Sequence, residues 1–216
     1  MKHNIFPSIA FLALLVLCVN VANATVIIDI VPSEEKIKAG EQLDVDVVIS
    51  GLIDDPATSP ANEDALGAFD LRMVYNPFIL DFVSLTFGDP LIGDQLDVLG
   101  FGFNPQGYTP SHTAAGYVEF FEVSLDSVFD LETLQADSFT LATLSFTGLA
   151  AGSTTLNLAI PDLSDARGNV MAATVNSSSV EVPEPAILAL LLIGVAGLRL
   201  THSHDPALCG KEPIRT

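Results

Sequence analysis

The chain predicts an all-β sandwich, and three observations predict it. Apolar and polar residues alternate with a period of two through most of the middle of the sequence. Turn-forming residues cut that alternation into short segments, and no segment long enough for a major helix carries a clean helical stripe. A strand sends alternate side chains to opposite faces, so each segment has one apolar face to bury. Two sheets packed face to face bury all of them at once.

The elements follow in order. Val26–Val31 reads as the first strand, and Lys38-Ala39-Gly40 as a turn before the second, Leu43–Ser50. There Leu43, Val45, Val47 and Ile49 share one face, opposite Asp44, Asp46, Val48 and Ser50. In Phe69–Tyr75, the residues Phe69, Leu71, Met73 and Tyr75 alternate with Asp70, Arg72 and Val74. Tyr75-Asn76-Pro77 closes that strand, and Leu80–Phe87 runs to Gly88-Asp89-Pro90. Tyr117–Leu125, Leu141–Thr147, Thr155–Ile160 and Ser179–Val182 complete a set of about eight to nine strands. Ala151-Gly152-Ser153 and Arg167-Gly168-Asn169 are turns, and Ser127–Gln135 suits one or two helical turns. Ile53–Ala65 and Phe101–Ala115 read as long, turn-rich loops.

The two ends have a different character. Lys2, the apolar stretch Ile9–Val19 and Val21-Ala22-Asn23-Ala24 resemble a secretory signal peptide, residues 1–24, with cleavage expected after Ala24. Ala22 and Ala24 are the small residues that fit a signal peptidase. Cys18 lacks the small residues that a lipoprotein cysteine needs before it. At the other end, Pro183-Glu184-Pro185 stops the last strand. An apolar run, Ala186–Leu198, follows, closed by Arg199 and extended to residue 200 as a short transmembrane helix. Thirteen residues span ~20 Å of helix against a hydrocarbon core of ~30 Å, a marginal permanent anchor. Arg199, Lys211 and Arg215 after the run place the tail inside and the preceding domain outside.

Val182-Pro183-Glu184-Pro185, a short apolar helix and a basic residue together resemble the PEP-CTERM sorting signal of Gram-negative, exopolysaccharide-producing bacteria. The resemblance covers residues 183–216. It implies processing by an exosortase-type enzyme and delivery to the cell surface or extracellular matrix. The terminal arginine cluster of that family is replaced here by Thr201-His202-Ser203-His204-Asp205-Pro206, so a simple tail anchor is the competing expectation.

Between the ends, residues 25–182 are enough for one domain with its own core. Cys18 and Cys209 are the only cysteines of the chain, so the sandwich has neither a disulfide nor a thiolate metal site. The chain carries 27 acidic against 8 basic residues, a net charge of −19. Within 25–182 the only basic residues are Lys36, Lys38, Arg72 and Arg167. No basic patch exists for phosphates, which excludes a nucleic-acid partner.

The strand order is similar to the cohesin family, jelly-roll sandwiches related to carbohydrate-binding modules. The matching stretches are Lys38-Ala39-Gly40 with Leu43-Asp44-Val45-Asp46-Val47, and Ala68-Phe69-Asp70-Leu71 running into Tyr75-Asn76-Pro77 and Leu80-Asp81-Phe82-Val83. Leu141-Ala142-Thr143-Leu144-Ser145-Phe146, Gly152-Ser153-Thr154 and Ser179-Val180-Glu181-Val182 follow in the same order. The resemblance implies a non-catalytic module binding a dockerin-like protein or a polysaccharide.

The residues themselves argue against catalysis. His112, the domain's one histidine, lies in the loop Pro110-Ser111-His112-Thr113, and no nucleophile elbow occurs. Paired carboxylates could hydrolyse a glycoside, but acids such as Asp44, Asp46 and Glu119 mark the solvated face of a sheet. No cofactor is expected, with calcium the one ion to consider. Its candidate ligands are Asp162-Leu163-Ser164-Asp165 with Asn169, and Asp54-Asp55 with Glu63 and Asp64, where turn capping by Asp is the plainer account. Trp is absent, and Tyr108, with Phe101 and Phe103, is the tyrosine best placed to stack on a sugar. The expectation is an exported surface or matrix binding module associated with exopolysaccharide. A purely structural matrix protein and a polysaccharide-acting enzyme are the alternatives.

Overall fold

A computed structural model describes residues 26–52, 65–111, 116–184 and 193–194. Ten strands and one helix follow one another: β1 (Val26–Pro32), β2 (Gln42–Ser50), β3 (Leu66–Val74), β4 (Leu80–Phe87), β5 (Gln106–Ser111), β6 (Tyr117–Val123), α1 (Val128–Leu134), β7 (Ser138–Gly148), β8 (Gly152–Asp165), β9 (Ala173–Asn176) and β10 (Ser178–Val182). They form two five-stranded sheets, ordered β4-β7-β2-β1-β9 and β10-β8-β3-β6-β5. Every pairing is antiparallel except that of β1 with β9.

The expected sandwich is therefore present, and the alternation explains its packing. Leu43, Val45, Val47 and Ile49 of β2 are all buried, as are Phe69, Leu71 and Met73 of β3 and Val118 and Phe120 of β6. Leu144 and Phe146 of β7 close the layer. The aromatic rings lock it: Phe146 meets Tyr75 and Phe82 edge-on, at centroid distances of 5.0 and 5.9 Å, and Phe69 meets Phe120 at 6.1 Å. Each of these large side chains contributes roughly 1.5–3 kcal/mol through burial.

The helix lies where the sequence places it. The hydroxyl of Ser127 accepts from the amide of Asp130 at 3.2 Å and caps the N-terminus, and Leu131 is the helix's one buried residue.

Three features differ from the expectation. The stretch Phe101–Ala115 is not all loop, because Gln106–Ser111 pairs with β6 as an edge strand. Its Gly107 and Pro110 carry turn chemistry, yet an edge strand tolerates proline because one side of its ladder is free. Strand β9 is four residues without a fully buried position, too short to show a pattern. Strand β8 continues past Ile160 to Asp165. Its register against β3 shifts between Asp70, opposite Asp162, and Arg72, opposite Ala159. One extra residue is thus accommodated beside Pro161, a bulge that reverses the in–out alternation.

Several sequence-predicted positions lie outside the described residues: Ala22, Ala24, Pro185, Arg199, His112, Asp54, Asp55, Glu63, Asp64, and residues 186–200 apart from 193–194. Among the described residues no helix is long and apolar enough to cross a membrane. Pro183 and Glu184 are exposed and continue directly from β10.

Phe146 sits at the meeting point of two aromatic contacts, with no exposed surface. Phe146→Ala is expected to cost ~3–5 kcal/mol, read as a lower urea midpoint, with the β-type circular dichroism retained in the absence of denaturant.

Candidate functional site

The two outer faces of the sandwich differ in what they leave available. On the β4-β7-β2-β1-β9 sheet three acids are satisfied by neighbours on their own face. Asp44 accepts from the hydroxyl of Ser145 and Asp46 from that of Thr143, both at 2.6 Å. Asp29 accepts from the amide of Asn176 at 2.7 Å. Asp44 and Asp46 are the solvated acids that the alternation of β2 predicts.

The β10-β8-β3-β6-β5 sheet presents apolar surface instead. Phe121 and Val123 of β6 point outward and are 42% and 40% exposed. Ala68, Phe69, Asp70, Phe121, Val123 and Asp162 line a shallow cavity of about 220 Å³ on this face. Cross-strand register builds it: Asp70 of β3 lies opposite Phe121 on one side and Asp162 on the other. The bulge at Pro161 is what makes the second pairing possible. Ala159 and Asp162 both face outward although three positions apart, so without the extra residue Asp162 would point into the core. On the edge strand Gly107 lies opposite Phe121, and a Cβ there would come within 3.3 Å of its ring, so the glycine leaves space for that ring.

Electrostatics on this face are unbalanced. Arg72 donates to Glu119, its partner across the strands, and its guanidinium lies 4.9 Å from the centre of the Tyr117 ring. Arg72 Nε has no acceptor among the described residues. Burial pushes the carboxyl of Asp70 up, helped by the charges of Glu119 and Asp162 and opposed by Arg72. The result is a half-apolar patch with two neighbouring acids and one arginine, open to a second surface and resembling the rim and centre of a protein interface.

A second group of acids lies at the end of the sandwich between β4 and β6. Glu122 occupies an inward position of β6 and is 1% exposed. Burial, and next the neighbouring Asp94, push its carboxyl up to about 8; Asn104 opposes the shift. The surrounding loop is held by side-chain acceptors. Asp97 takes the amides of Phe101 and Gly102 at 2.9 and 2.6 Å, and Asp94 takes that of Leu96 at 2.9 Å. Gln135, after α1, ties the loop to β3 by donating to the carbonyls of Gln95 and Leu66.

The remaining sequence-predicted residues are dispersed. Asp165 spends both carboxylate oxygens on its own turn, accepting the amides of Arg167 and Asn169 and the Asn169 side chain at 2.7–2.8 Å. Tyr108 points back over the edge of the sandwich, its ring 5.7 Å from Phe82, whereas Phe101 and Phe103 stay 63% and 77% exposed. Phe121, Val123 and the Asp70–Asp162 pair were not picked out as a site by the sequence pattern. The doublet Phe120-Phe121 was the available signal, since adjacent strand residues cannot both be buried in one core.

No protein-family profile and no curated protein matches the sequence. Solved structures do match the fold. A type II cohesin domain from the cellulosome of Acetivibrio cellulolyticus gives a TM-score of 0.55 at 18% identity, over 72% of this chain and 95% of that one. A type I cohesin–dockerin complex from Clostridium thermocellum gives 0.54 at 14% identity, over 73% and 99%. A non-cellulosomal cohesin from the hyperthermophilic archaeon Archaeoglobus fulgidus gives 0.52 at 15%, over 84% and 100%. The architecture is that of a cohesin-like sandwich.

The shift at Glu122 has a sign. A carboxyl raised from its ordinary 4.5 to about 8 keeps its proton in the folded state while the unfolded chain has lost it. Folding stability from this group is therefore fully present below pH 4.5 and declines as pH rises toward about 8. In EDTA-treated protein the thermal midpoint is expected to fall through that window, and Glu122→Gln to flatten the profile.

Proposed function

We propose that this chain is an exported, non-catalytic binding module whose β8-β3-β6-β5 outer face docks a second protein. The observation that carries the reading is the exposed Phe121–Val123 surface, set among Asp70, Asp162 and Arg72 on a rigid sheet. The fold supports it, because cohesins of the same architecture have been crystallised as cohesin–dockerin complexes. A dockerin-like polypeptide is accordingly the partner class. On the opposite face Asp29, Asp44 and Asp46 are already bonded to neighbouring side chains.

The exposed pair Phe101 and Phe103 favours a second reading, stacking on the sugar rings of exopolysaccharide. In either reading the ends of the chain decide its location. A signal peptidase cuts after Ala24, and an exosortase-type enzyme acts at Pro183-Glu184-Pro185. The module then reaches the outer surface or matrix of a Gram-negative cell, after transient anchoring through residues 186–200. The extended, exposed Pro183-Glu184 beyond β10 supports an accessible processing segment.

Immobilised full-length chain, challenged with a panel of purified dockerin modules and with exopolysaccharide, is expected to bind one dockerin-class protein saturably. Phe121→Ala or Arg72→Ala should weaken that binding at least ~10-fold, an effect of the size expected for a hot-spot residue, while Asp44→Ala leaves it unchanged. Binding that ignores the first two substitutions would move the site elsewhere, and turnover of the polysaccharide would restore the enzyme reading.

Replacing Pro183, Glu184 and Pro185 together by alanine is expected to leave secretion intact and to hold the unprocessed chain in the membrane fraction of an exosortase-containing host. Mass spectrometry of wild-type surface protein should find the residues after Pro185 removed. Their retention would favour the simple tail anchor.

A further inference from the structure

We propose that the Glu122 and Asp94 carboxyls form a proton latch: one shared proton seats the 97–103 turn against the end of β6, and its loss in alkaline medium opens that turn. Glu122 keeps the inward phase of Val118 and Phe120 and is buried with them. Its carboxyl hydrogen-bonds to that of Asp94, and its Oε1 accepts from the Asn104 side-chain amide at 3.3 Å. Two carboxylates are acceptors only, so the bond between them exists only while one of them carries a proton. Among the described residues Oε2 of Glu122 has no other donor.

The surroundings make that proton matter. Opposite Glu122, β3 and β5 present the uncharged Phe69 and Gln106. The loop contributes Asp94 and Asp97, two like charges that oppose ionisation. The basic residues among those described are paired elsewhere: Arg72 of β3 with Glu119 on the outward face, and Lys36, Lys38 and Arg167 with Glu181, Glu41 and Glu132. Burial first, and then Asp94, hold the Glu122 carboxyl up at about 8. Above that point a buried anion faces two more anions with no cation between them, an arrangement that low local polarity makes costly. The available relief is separation, and Glu122 itself is fixed in a paired strand.

The loop defines which part yields. Residues 95–96 are pinned: Gln135 donates to the Gln95 carbonyl at 2.8 Å, Gln95 Oε1 accepts from the Ala136 amide at 2.9 Å, and Leu96 is buried. At the far end the Pro105 carbonyl accepts from the Val123 amide at 3.0 Å, and Asn104 accepts from the Leu125 amide at 3.1 Å. Between these anchors Leu99, Phe101 and Phe103 are exposed, and Gly100 and Gly102 have φ of 69° and 68°. A stretch with so few buried contacts opens locally without unfolding the sandwich. Asp97 carries the amides of Phe101 and Gly102, so the turn shifts as a unit when its carboxylate is repelled. The proton thus sets how Phe101 and Phe103 are presented to solvent.

The test is an NMR titration of the isotopically labelled full-length chain from about pH 5.5 to about pH 9.5, reading the carboxyl carbons of Glu122 and Asp94 with the amides of Phe101, Gly102 and Phe103. All are expected to move with one midpoint near 8, while the amides of β2 and β7 hold still. Chymotrypsin supplies a second reading. Cleavage after Phe101 and Phe103, resolved by mass, should rise ~10-fold from about pH 7 to about pH 9 relative to Glu122→Gln, as the ionised fraction does. Glu122→Gln keeps the shape, donates to Asp94 and cannot ionise, so its turn stays seated. Should that variant disturb the core, Asp94→Asn reads the pair from the loop side, with the Glu122 midpoint expected to fall toward its ordinary 4.5. A wild-type Glu122 midpoint already at 4.5, or one that Asp94→Asn leaves unmoved, overturns the latch. So does a Glu122 that titrates near 8 while the turn's amides and its cleavage stay unchanged, or cleavage that rises equally in Glu122→Gln.

Discussion

The apolar layer between the two sheets sets the terms for every other part of this domain. No cysteine lies between Thr25 and Val182, so no covalent link holds the sheets together. Ile28, Val45, Val47, Leu71, Met73, Phe120 and Phe146 must do so by burial alone. Because strand side chains alternate strictly, choosing which residues enter this layer also chooses which ones leave it. Leu71 and Met73 inward means Asp70 and Arg72 outward. Phe120 inward means Phe121 exposed. The candidate surface is thus the other half of the same packing decision, and the rigidity of the core is what preorganises it.

Two local departures from that rule carry the chemistry. The bulge at Pro161 lets β8 change phase and puts Asp162 next to Asp70, concentrating negative charge at one edge of the apolar patch. Glu122 departs in the opposite way, keeping phase with Val118 and Phe120 and carrying a carboxylate into an apolar position. In an ordinary core such a residue would be expelled or replaced. Its retention beside Asp94 requires a proton in compensation, which makes this end of the sandwich responsive to pH.

Most of the framework was legible in the alternation. The cores of β1, β2, β3, β4, β6, β7 and β10 lie where period-two patterning places them, and α1 lies within Ser127–Gln135. What was not legible has a physical cause in each case. Strand β5 contains Gly107 and Pro110, which read as turn chemistry until an edge position excuses them. Strand β9 is too short to have a period. The second half of β8 lies beyond a proline and a phase change, and either alone hides a strand. The site was harder to see than the fold, since Phe121, Val123, Asp70 and Asp162 come from three strands and are joined by register alone. Glu122 did leave a trace, a charged residue in the apolar phase of Tyr117–Val123.

The central claim is that one outer face, and not the other, meets the partner. Amide chemical-shift mapping of the isotopically labelled chain, titrated with the dockerin-class protein it binds, tests this most directly. The account predicts perturbations concentrated in residues 68–74, 117–123 and 158–164, with the outward residues of β2 and β7 unmoved. Perturbations centred on Asp44, Asp46, Thr143 and Ser145, or confined to the loop carrying Phe101 and Phe103, would contradict it.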